Sequence, residues 1–189
     1  MTEAMATARS GTPPEAVVFG GGCFWCTEAV FLMLKGVQSV EPGYAGPKYK
    51  NERGPSYEEV STGATPYIES AKVVYDPDAI AFAELLQVYF GSHDPTTPNR
   101  QGNDVGPQYR SAIFYTTQRQ KEMSEHYIRN LEKMLNKKIV TTVEPLDAFY
   151  KAEDYHQKYY ENHQGASYCQ LIIAPKVEKV QEKFKNLLK

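Results

Sequence analysis

Near the start of the chain, a short run of β-branched and aromatic residues leads directly into three glycines. Ala16-Val17-Val18-Phe19 predicts a buried strand, and Gly20-Gly21-Gly22 ends it. Apolar residues between positions 25 and 34 then recur with the spacing of a helix. Glycines allow a sharp turn and let a second molecule approach the backbone closely. The residue that follows them, Cys23, is therefore predicted at a strand–glycine–helix junction.

Segments with strand and helix patterns alternate along the rest of the chain. Strands are predicted at residues 37–44, 57–62, 68–75, 109–115, 139–144 and 168–174, and helices at 81–90, 117–135, 154–162 and 177–188. This alternation predicts an α+β fold, specifically a two-layer α/β sandwich with long loops. We expect a single catalytic domain at residues 15–189, with 170–189 forming a C-terminal strand and helix extension. Residues 1–14 are small and polar, which predicts a disordered lead-in.

Composition and charge exclude several classes of partner. The formal net charge of −2 comes without a basic stripe, so no nucleic acid is expected as a partner. No apolar run approaches the roughly 20 residues that span a bilayer, so no membrane association is expected. Three cysteines are too few, and odd in number, for a secreted disulfide scaffold. We therefore expect a cytoplasmic protein. A monomer is expected as well.

Cys23 and Cys26 form a Cys-x-x-Cys pair that allows several kinds of chemistry. At the start of a helix, the backbone dipole favours an anion, which predicts a lowered pKa and a reactive thiolate for Cys23. The pair fits a thioredoxin-type dithiol, with Pro66 as the cis-proline of that fold, or a nucleophile with a bystander thiol. It also fits half of a zinc site completed by His163 and Cys169, although that spacing is not a recognised ligand pattern.

The run Gly22-Cys23-Phe24-Trp25-Cys26-Thr27-Glu28 resembles the active-site signature of the A-type peptide methionine sulfoxide reductases. Further blocks resemble that family in the same order, and they are Gly43-Tyr44-Ala45-Gly46, Tyr57-Glu58-Glu59-Val60, Glu69, Val74-Tyr75-Asp76-Pro77, His93-Asp94-Pro95, Arg100-Gln101-Gly102-Asn103-Asp104, Gly106-Pro107-Gln108-Tyr109-Arg110-Ser111 and Ala152-Glu153-Asp154-Tyr155-His156-Gln157. The resemblance covers residues 17–169, and it implies a ferredoxin-like mixed sheet with helices packed on it.

The resemblance also implies roles for individual residues. A sulfoxide oxygen leaves only after protonation, and Glu69 is implied as the acid, flanked by the phenols of Tyr57 and Tyr109. An acid that keeps its proton near pH 7 needs a raised pKa, which a partly apolar site would provide. Phe24 and Trp25 are implied to hold the methyl group of the substrate.

Asp104 is implied to orient the neighbouring hydrogen-bond donors. No metal and no organic cofactor is required for this chemistry.

The reaction implied by the resemblance leaves Cys23 as a sulfenic acid, which a second thiol converts to an intramolecular disulfide. Cys169 is expected to be that thiol, because Ser167-Tyr168-Cys169 occupies the position of the family's distal cysteine. Two departures leave Cys26 as the alternative: many members have glycine where this chain has Cys26, and a glycine-rich tail where residues 170–173 look like a strand. The expected substrate is methionine-(S)-sulfoxide, free or in oxidised proteins, and the expected reductant is thioredoxin or a similar dithiol.

Overall fold

A mixed sheet of six strands forms the centre of the structure, a computed structural model that describes residues 11–189. Its strands are β1 (Glu15–Gly20), β2 (Val37–Gly46), β3 (Ile68–Tyr75), β6 (Ala112–Tyr115), β7 (Thr142–Pro145) and β8 (Ala148–Lys151), while β4 (Arg100–Gln101) and β5 (Asp104–Val105) form a separate ribbon. In the order β7-β6-β1-β3-β2-β8, every neighbouring pair is antiparallel except β6 and β7, which are parallel. Most of the predicted N-terminal lead-in lies outside the described residues.

Helices cover this sheet. They are α1 (Phe24–Leu32), α2 (Tyr57–Ser61), α3 (Phe82–Ser92), α4 (Gln118–Leu135), α5 (Tyr159–Asn162) and α6 (Ala174–Lys183), with 3-10 turns at Pro107–Tyr109, Asp154–His156 and Lys185–Leu187. The main core lies where α1 and α3 meet the sheet, and Phe19 stacks there on Phe31 and Tyr89 with ring centroids 5.0 and 4.6 Å apart. The predicted α+β fold with a mixed sheet is confirmed. Within residues 11–189 no helix is long and apolar enough to cross a membrane.

The strand predicted at residues 57–62 is wrong, because this segment forms α2. A reciprocal capping box starts the helix: the Ser56 N–H donates to the Glu59 carboxylate at 2.8 Å, and the Glu59 N–H donates to the Ser56 hydroxyl at 3.3 Å. These two bonds satisfy backbone donors that the first turn of a helix leaves unpaired, and so they outweigh the apolar pattern. The result places Tyr57 at the first position of the helix.

The strand predicted at residues 168–174 is also wrong. Cys169–Ile173 forms a π-helical turn that continues directly into α6, so the C-terminal extension is helical where a strand was expected. In a strand, Cys169, Leu171 and Ile173 would share one face. Cys169 and Ile173 are buried, but Leu171 is 73% exposed, which is a helical spacing of buried positions.

Candidate active site

The turn between β1 and α1 positions the thiol of Cys23. Gly22 has a φ of +90°, and a Cβ at this position would lie 2.7 Å from the side chain of Gln101. Glycine is therefore needed here for both the backbone conformation and the space. Cys23 directly precedes the first residue of α1 as its N-cap, and only 6% of it is exposed.

The carboxyl group of Glu69 lies at the same helix N-terminus. Glu69 belongs to β3, pairs across the sheet with Tyr44 of β2, and is 2% exposed. Its Oε2 accepts a hydrogen bond from the backbone N–H of Phe24, at 3.3 Å. Burial raises the pKa of Glu69 to about 8, and the hydrogen bonds from Phe24 and from the Tyr109 side chain only partly oppose this shift. The prediction of a raised pKa for Glu69 is confirmed, while its role as the acid stays a prediction.

The predicted pKa of Cys23 is wrong in direction. Burial, followed by the hydrogen bond and charge of Cys26 and the charge of Glu69, raises the pKa of the Cys23 thiol well above its usual value. These effects outweigh the helix N-terminus, and one of its backbone donors, the Phe24 N–H, bonds to Glu69. The hydroxyl of Tyr168 acts in the other direction and lowers the pKa of Cys23.

Aromatic rings enclose the first turn of α1. Phe24 is 1% exposed, and its ring centroid lies 5.9 Å from that of Tyr44, 6.5 Å from Tyr57 and 5.0 Å from His156. Phe24 therefore packs behind the site and exposes almost none of its surface. Trp25 is half-buried.

The Trp25 ring is fixed from two sides. It stacks on Tyr159 at a centroid distance of 3.6 Å and an interplanar angle of 7°, and the ring of Tyr168 meets it edge-on at 5.7 Å. Such contacts hold the indole in one orientation.

Three further side chains predicted at the site do converge on it. Burial, followed by the charge of Glu69, raises the pKa of Tyr57 to about 12 and also raises the pKa of Tyr109. Both phenols consequently keep their protons at neutral pH and can donate hydrogen bonds. Asp104 accepts a hydrogen bond from the Tyr168 hydroxyl at 3.2 Å, and its charge raises the pKa of Glu69.

A buried thiol, a buried carboxyl with a raised pKa and two phenols thus lie at one helix terminus. Comparisons with known proteins identify the family of the chain. A family model described as peptide methionine sulfoxide reductase matches residues 15–188. The chain belongs to this family. The peptide methionine sulfoxide reductase MsrA of Sulfolobus acidocaldarius is 52% identical to this chain over 170 residues, covering 90% of this chain and 95% of that protein.

Solved structures support the same assignment of this reductase. Reduced Mxr1 from Saccharomyces cerevisiae matches with a TM-score of 0.76 and 32% identity, covering 85% of this chain and 92% of the yeast chain. Mxr1 in complex with Trx2 matches with a TM-score of 0.53 and 22% identity, over 81% and 91% of the two chains, and at that identity it supports the fold alone. The resemblance inferred from the sequence is confirmed.

The three thiols of the reductase are all buried, and they lie in one apolar cluster. The Cys26 thiol interacts directly with Cys23, and this hydrogen bond is the main cause that lowers the pKa of Cys26. Cys169 is 0% exposed. Burial is the main effect that raises its pKa, and the charge of Cys26 raises the pKa further. The prediction that Cys169 is the resolving thiol stays a prediction, and Cys26 is the nearer partner of Cys23 in the reduced state.

Some site residues of the reductase were not singled out from the sequence. Glu153 accepts hydrogen bonds from the Tyr44 hydroxyl at 2.8 Å and from the Tyr57 N–H at 2.9 Å, and so joins β2 to α2. His156 is 1% exposed and packs on Phe24 and Trp25 without a hydrogen-bond partner for either ring nitrogen. Both residues lie in the block at positions 152–157, which was the available sequence signal.

Zinc is not supported by the arrangement of potential ligands. Among residues 11–189, no three His, Cys, Asp or Glu side chains form a group that could hold a metal ion.

Proposed function

We propose that the protein reduces methionine-(S)-sulfoxide, free or in oxidised proteins, with Cys23 as the nucleophile and Glu69 as the acid. The observation that carries this proposal is the hydrogen bond from the Phe24 N–H to Glu69 Oε2 at 3.3 Å. This bond holds a buried carboxyl at the backbone of the residue that follows Cys23. One sulfoxide group can therefore contact both the carboxyl and the thiol.

Protonation of the sulfoxide oxygen is the first requirement. Protonation of the oxygen makes the sulfoxide sulfur more electrophilic and the oxygen a better leaving group. Glu69, with a pKa of about 8, carries its proton at pH 7, and an ordinary surface carboxyl does not. The phenols of Tyr57 and Tyr109 remain protonated and serve as further donors to the same oxygen.

Attack by Cys23 on the sulfoxide sulfur is the second requirement. The raised pKa of Cys23 means that the free enzyme holds this residue mainly as a thiol, so its proton must leave during the attack on the polarised sulfur. Oxygen passes to the Cys23 sulfur, which becomes a sulfenic acid, and methionine is released. The half-buried Trp25 ring, held by Tyr159 and Tyr168, provides an apolar wall for the methyl group.

Resolution of the sulfenic acid is the third step. The contact between the Cys23 and Cys26 thiols favours Cys26 as the first attacking thiol, giving a Cys23–Cys26 disulfide and water. Cys169, expected from the sequence to take this role, interacts with Cys26 and would act after it. A dithiol such as thioredoxin then restores the thiols, and a reducing cytoplasm suits an enzyme with three free cysteines.

Reduction of the two epimers of methionine sulfoxide tests the proposal. With dithiothreitol as reductant, the S-epimer is expected to be consumed and the R-epimer to remain. Glu69→Gln should lower kcat/KM by about 100-fold or more, a range typical of general-acid removal, while Cys23 stays reactive towards alkylating reagents. Consumption of neither epimer would contradict the proposed activity. Efficient reduction of a protein disulfide without need for Glu69 would instead indicate a general thiol–disulfide oxidoreductase.

Single cysteine variants assign the resolving thiol. With thioredoxin as reductant, Cys26→Ser is expected to release one equivalent of methionine per enzyme and then stop. Full recycling in Cys26→Ser together with arrest in Cys169→Ser would assign the role to Cys169, as the sequence predicts.

A further inference from the structure

A lysine from another helix shares a small cavity with Cys26. Lys176 lies in the first turn of α6, and it lines a small cavity behind α1 together with Cys26. Gly21 and His93 line the same cavity. The cavity therefore connects the glycine turn, α1, α3 and α6 at the back of the active site.

Lys176 supplies the positive charge of this cavity. Burial lowers the pKa of His93 to about 4, so the imidazole is neutral at physiological pH. Its nitrogens are also engaged, with Nδ1 lying 2.7 Å from the Tyr89 carbonyl and Nε2 lying 2.7 Å from the Ser111 hydroxyl. Among the described residues that line the cavity, Lys176 is the one lysine or arginine.

A thiolate at Cys26 needs such a partner, because Cys26 is 3% exposed and a buried anion without a counter-charge is costly. The hydrogen bond from Cys23 lowers the pKa of Cys26 most, and the charge and hydrogen bond of Lys176 lower it further, against burial and the charge of Asp104. The titratable groups that interact with Cys26 or line a cavity with it are Cys23, Glu69, Tyr89, His93, Asp104, Tyr168, Cys169 and Lys176.

Lys176 is among the main effects on the pKa of Cys26 and of His93, and it is not among the main effects on the pKa of Cys23 or of Glu69. A lysine that acts more strongly on the second thiol than on the first is placed to affect disulfide formation more than sulfoxide reduction.

We propose that Lys176 is a positioning residue for the resolution step, and that it holds Cys26 as the thiolate that attacks the Cys23 sulfenic acid. This inference rests on the proposed function, in which Cys26 makes the first disulfide. The Cys26 sulfur forms the S–S bond and is oxidised, while the S–O bond of Cys23 breaks and its sulfur is reduced. Hydroxide leaves and takes up the proton that Cys26 lost on ionising, which gives water.

Single-turnover experiments separate the two steps. Reduced enzyme is mixed with methionine-(S)-sulfoxide without reductant, and released methionine and remaining free thiols are followed in time. Lys176→Met keeps the length of the side chain and removes its charge, Lys176→Arg keeps the charge, and Lys179→Met is the matched control on an exposed position one turn later in α6. Lys176→Gln serves as a second neutral variant if Lys176→Met does not fold.

Loss of the charge should slow the second step alone. In Lys176→Met, methionine release should stay within about twofold of wild type. Loss of thiols at pH 7 should slow about tenfold, because a nearby opposite charge typically shifts a pKa by about one unit or more. The pH midpoint of disulfide formation should rise by about one unit, so that the two proteins converge at high pH. Lys176→Arg should restore the rate and the midpoint, and Lys179→Met should change neither.

A direct titration of Cys26 completes the test. In a Cys23→Ser/Cys169→Ser background Cys26 is the remaining thiol, and its alkylation rate against pH reports its pKa. Adding Lys176→Met should move that profile to higher pH. An unchanged alkylation profile, or disulfide formation at the wild-type rate and midpoint in Lys176→Met, would overturn the role of Lys176. Disulfide formation by Cys26→Ser at the wild-type rate would instead overturn the use of Cys26 in the proposed function.

Discussion

Replacement of Glu69 by glutamine should make the protein more stable and inactive. The pKa of Glu69 is about 8 in the folded protein, and the usual value of 4.5 applies to the unfolded chain. The folded form therefore binds a proton more tightly than the unfolded chain. An acid with a raised pKa adds stability below pH 4.5, and that contribution is lost as the pH rises towards 8. Glutamine does not ionise, and so it escapes this loss.

The size of the effect follows from the two pKa values. At pH 7 the unfolded chain has released the proton and the folded protein has not, which costs the wild type about 3 kcal/mol of unfolding free energy. The carbonyl of the introduced glutamine would keep the hydrogen bond from Phe24. Its buried NH₂ group would have no hydrogen-bond acceptor, which costs about 1 kcal/mol. We therefore expect a net gain of about 2 kcal/mol, or a rise in Tm of about 4–8 °C.

Denaturant unfolding at several pH values measures this gain. The difference in unfolding free energy between Glu69→Gln and wild type should increase by about 1.4 kcal/mol per pH unit from about pH 4.5 to pH 8, and then level off. Steady-state assays on the same samples should show the loss of kcat/KM. A difference in stability that does not change with pH would refute the reasoning, because it would mean that Glu69 ionises as an ordinary carboxyl.

Three further substitutions test other parts of the site. Gly22→Ala should lower the free energy of unfolding by about 2 kcal/mol or more, measured by denaturant unfolding, because an alanine strains the positive φ and its Cβ meets Gln101. Tyr109→Phe should lower kcat about tenfold or more in the dithiothreitol assay, since it removes one donor to the sulfoxide oxygen, whereas Tyr75→Phe, at a buried tyrosine that bonds Glu15, should leave kcat unchanged. Glu28→Gln should lower the unfolding free energy at pH 5 by about 1 kcal/mol, because its carboxyl oxygens accept backbone bonds at 2.7 and 3.2 Å that an amide NH₂ cannot accept.

The sequence predicted the turn that carries the nucleophile because the signal there is local. A β-branched run, three glycines and a helical spacing lie within about 20 consecutive residues. The Ser-x-x-Glu capping box at Ser56 is also local, and it was overlooked in favour of a strand pattern. Glu69 could be named only through the resemblance to a family, since nothing in its immediate surroundings predicts burial at 2% exposure.

The predictions that were wrong concern features that depend on contacts between distant segments. The pKa of Cys23 is raised mainly by burial, then by Cys26 and by Glu69, which lies 46 residues away in β3. Burial and Glu69 depend on the tertiary fold, and these effects reverse the expected influence of the helix terminus. Residues 168–174 are apolar enough for a strand or a helix, and packing of Cys169 and Ile173 decides the outcome. The cavity that Lys176 shares with Cys26 depends on how α6 packs against α1, which no local pattern reports.

The depth of the sulfur atoms has a consequence for how fast the enzyme can turn over. Cys23 and Cys26 are exposed by only 6 and 3%, so a folded protein reductant has little access to either residue. Recycling by such a reductant must wait for a local opening of the covering chain. A concentration of urea well below the unfolding midpoint should therefore speed reduction of the disulfide by thioredoxin and leave the first release of methionine unchanged.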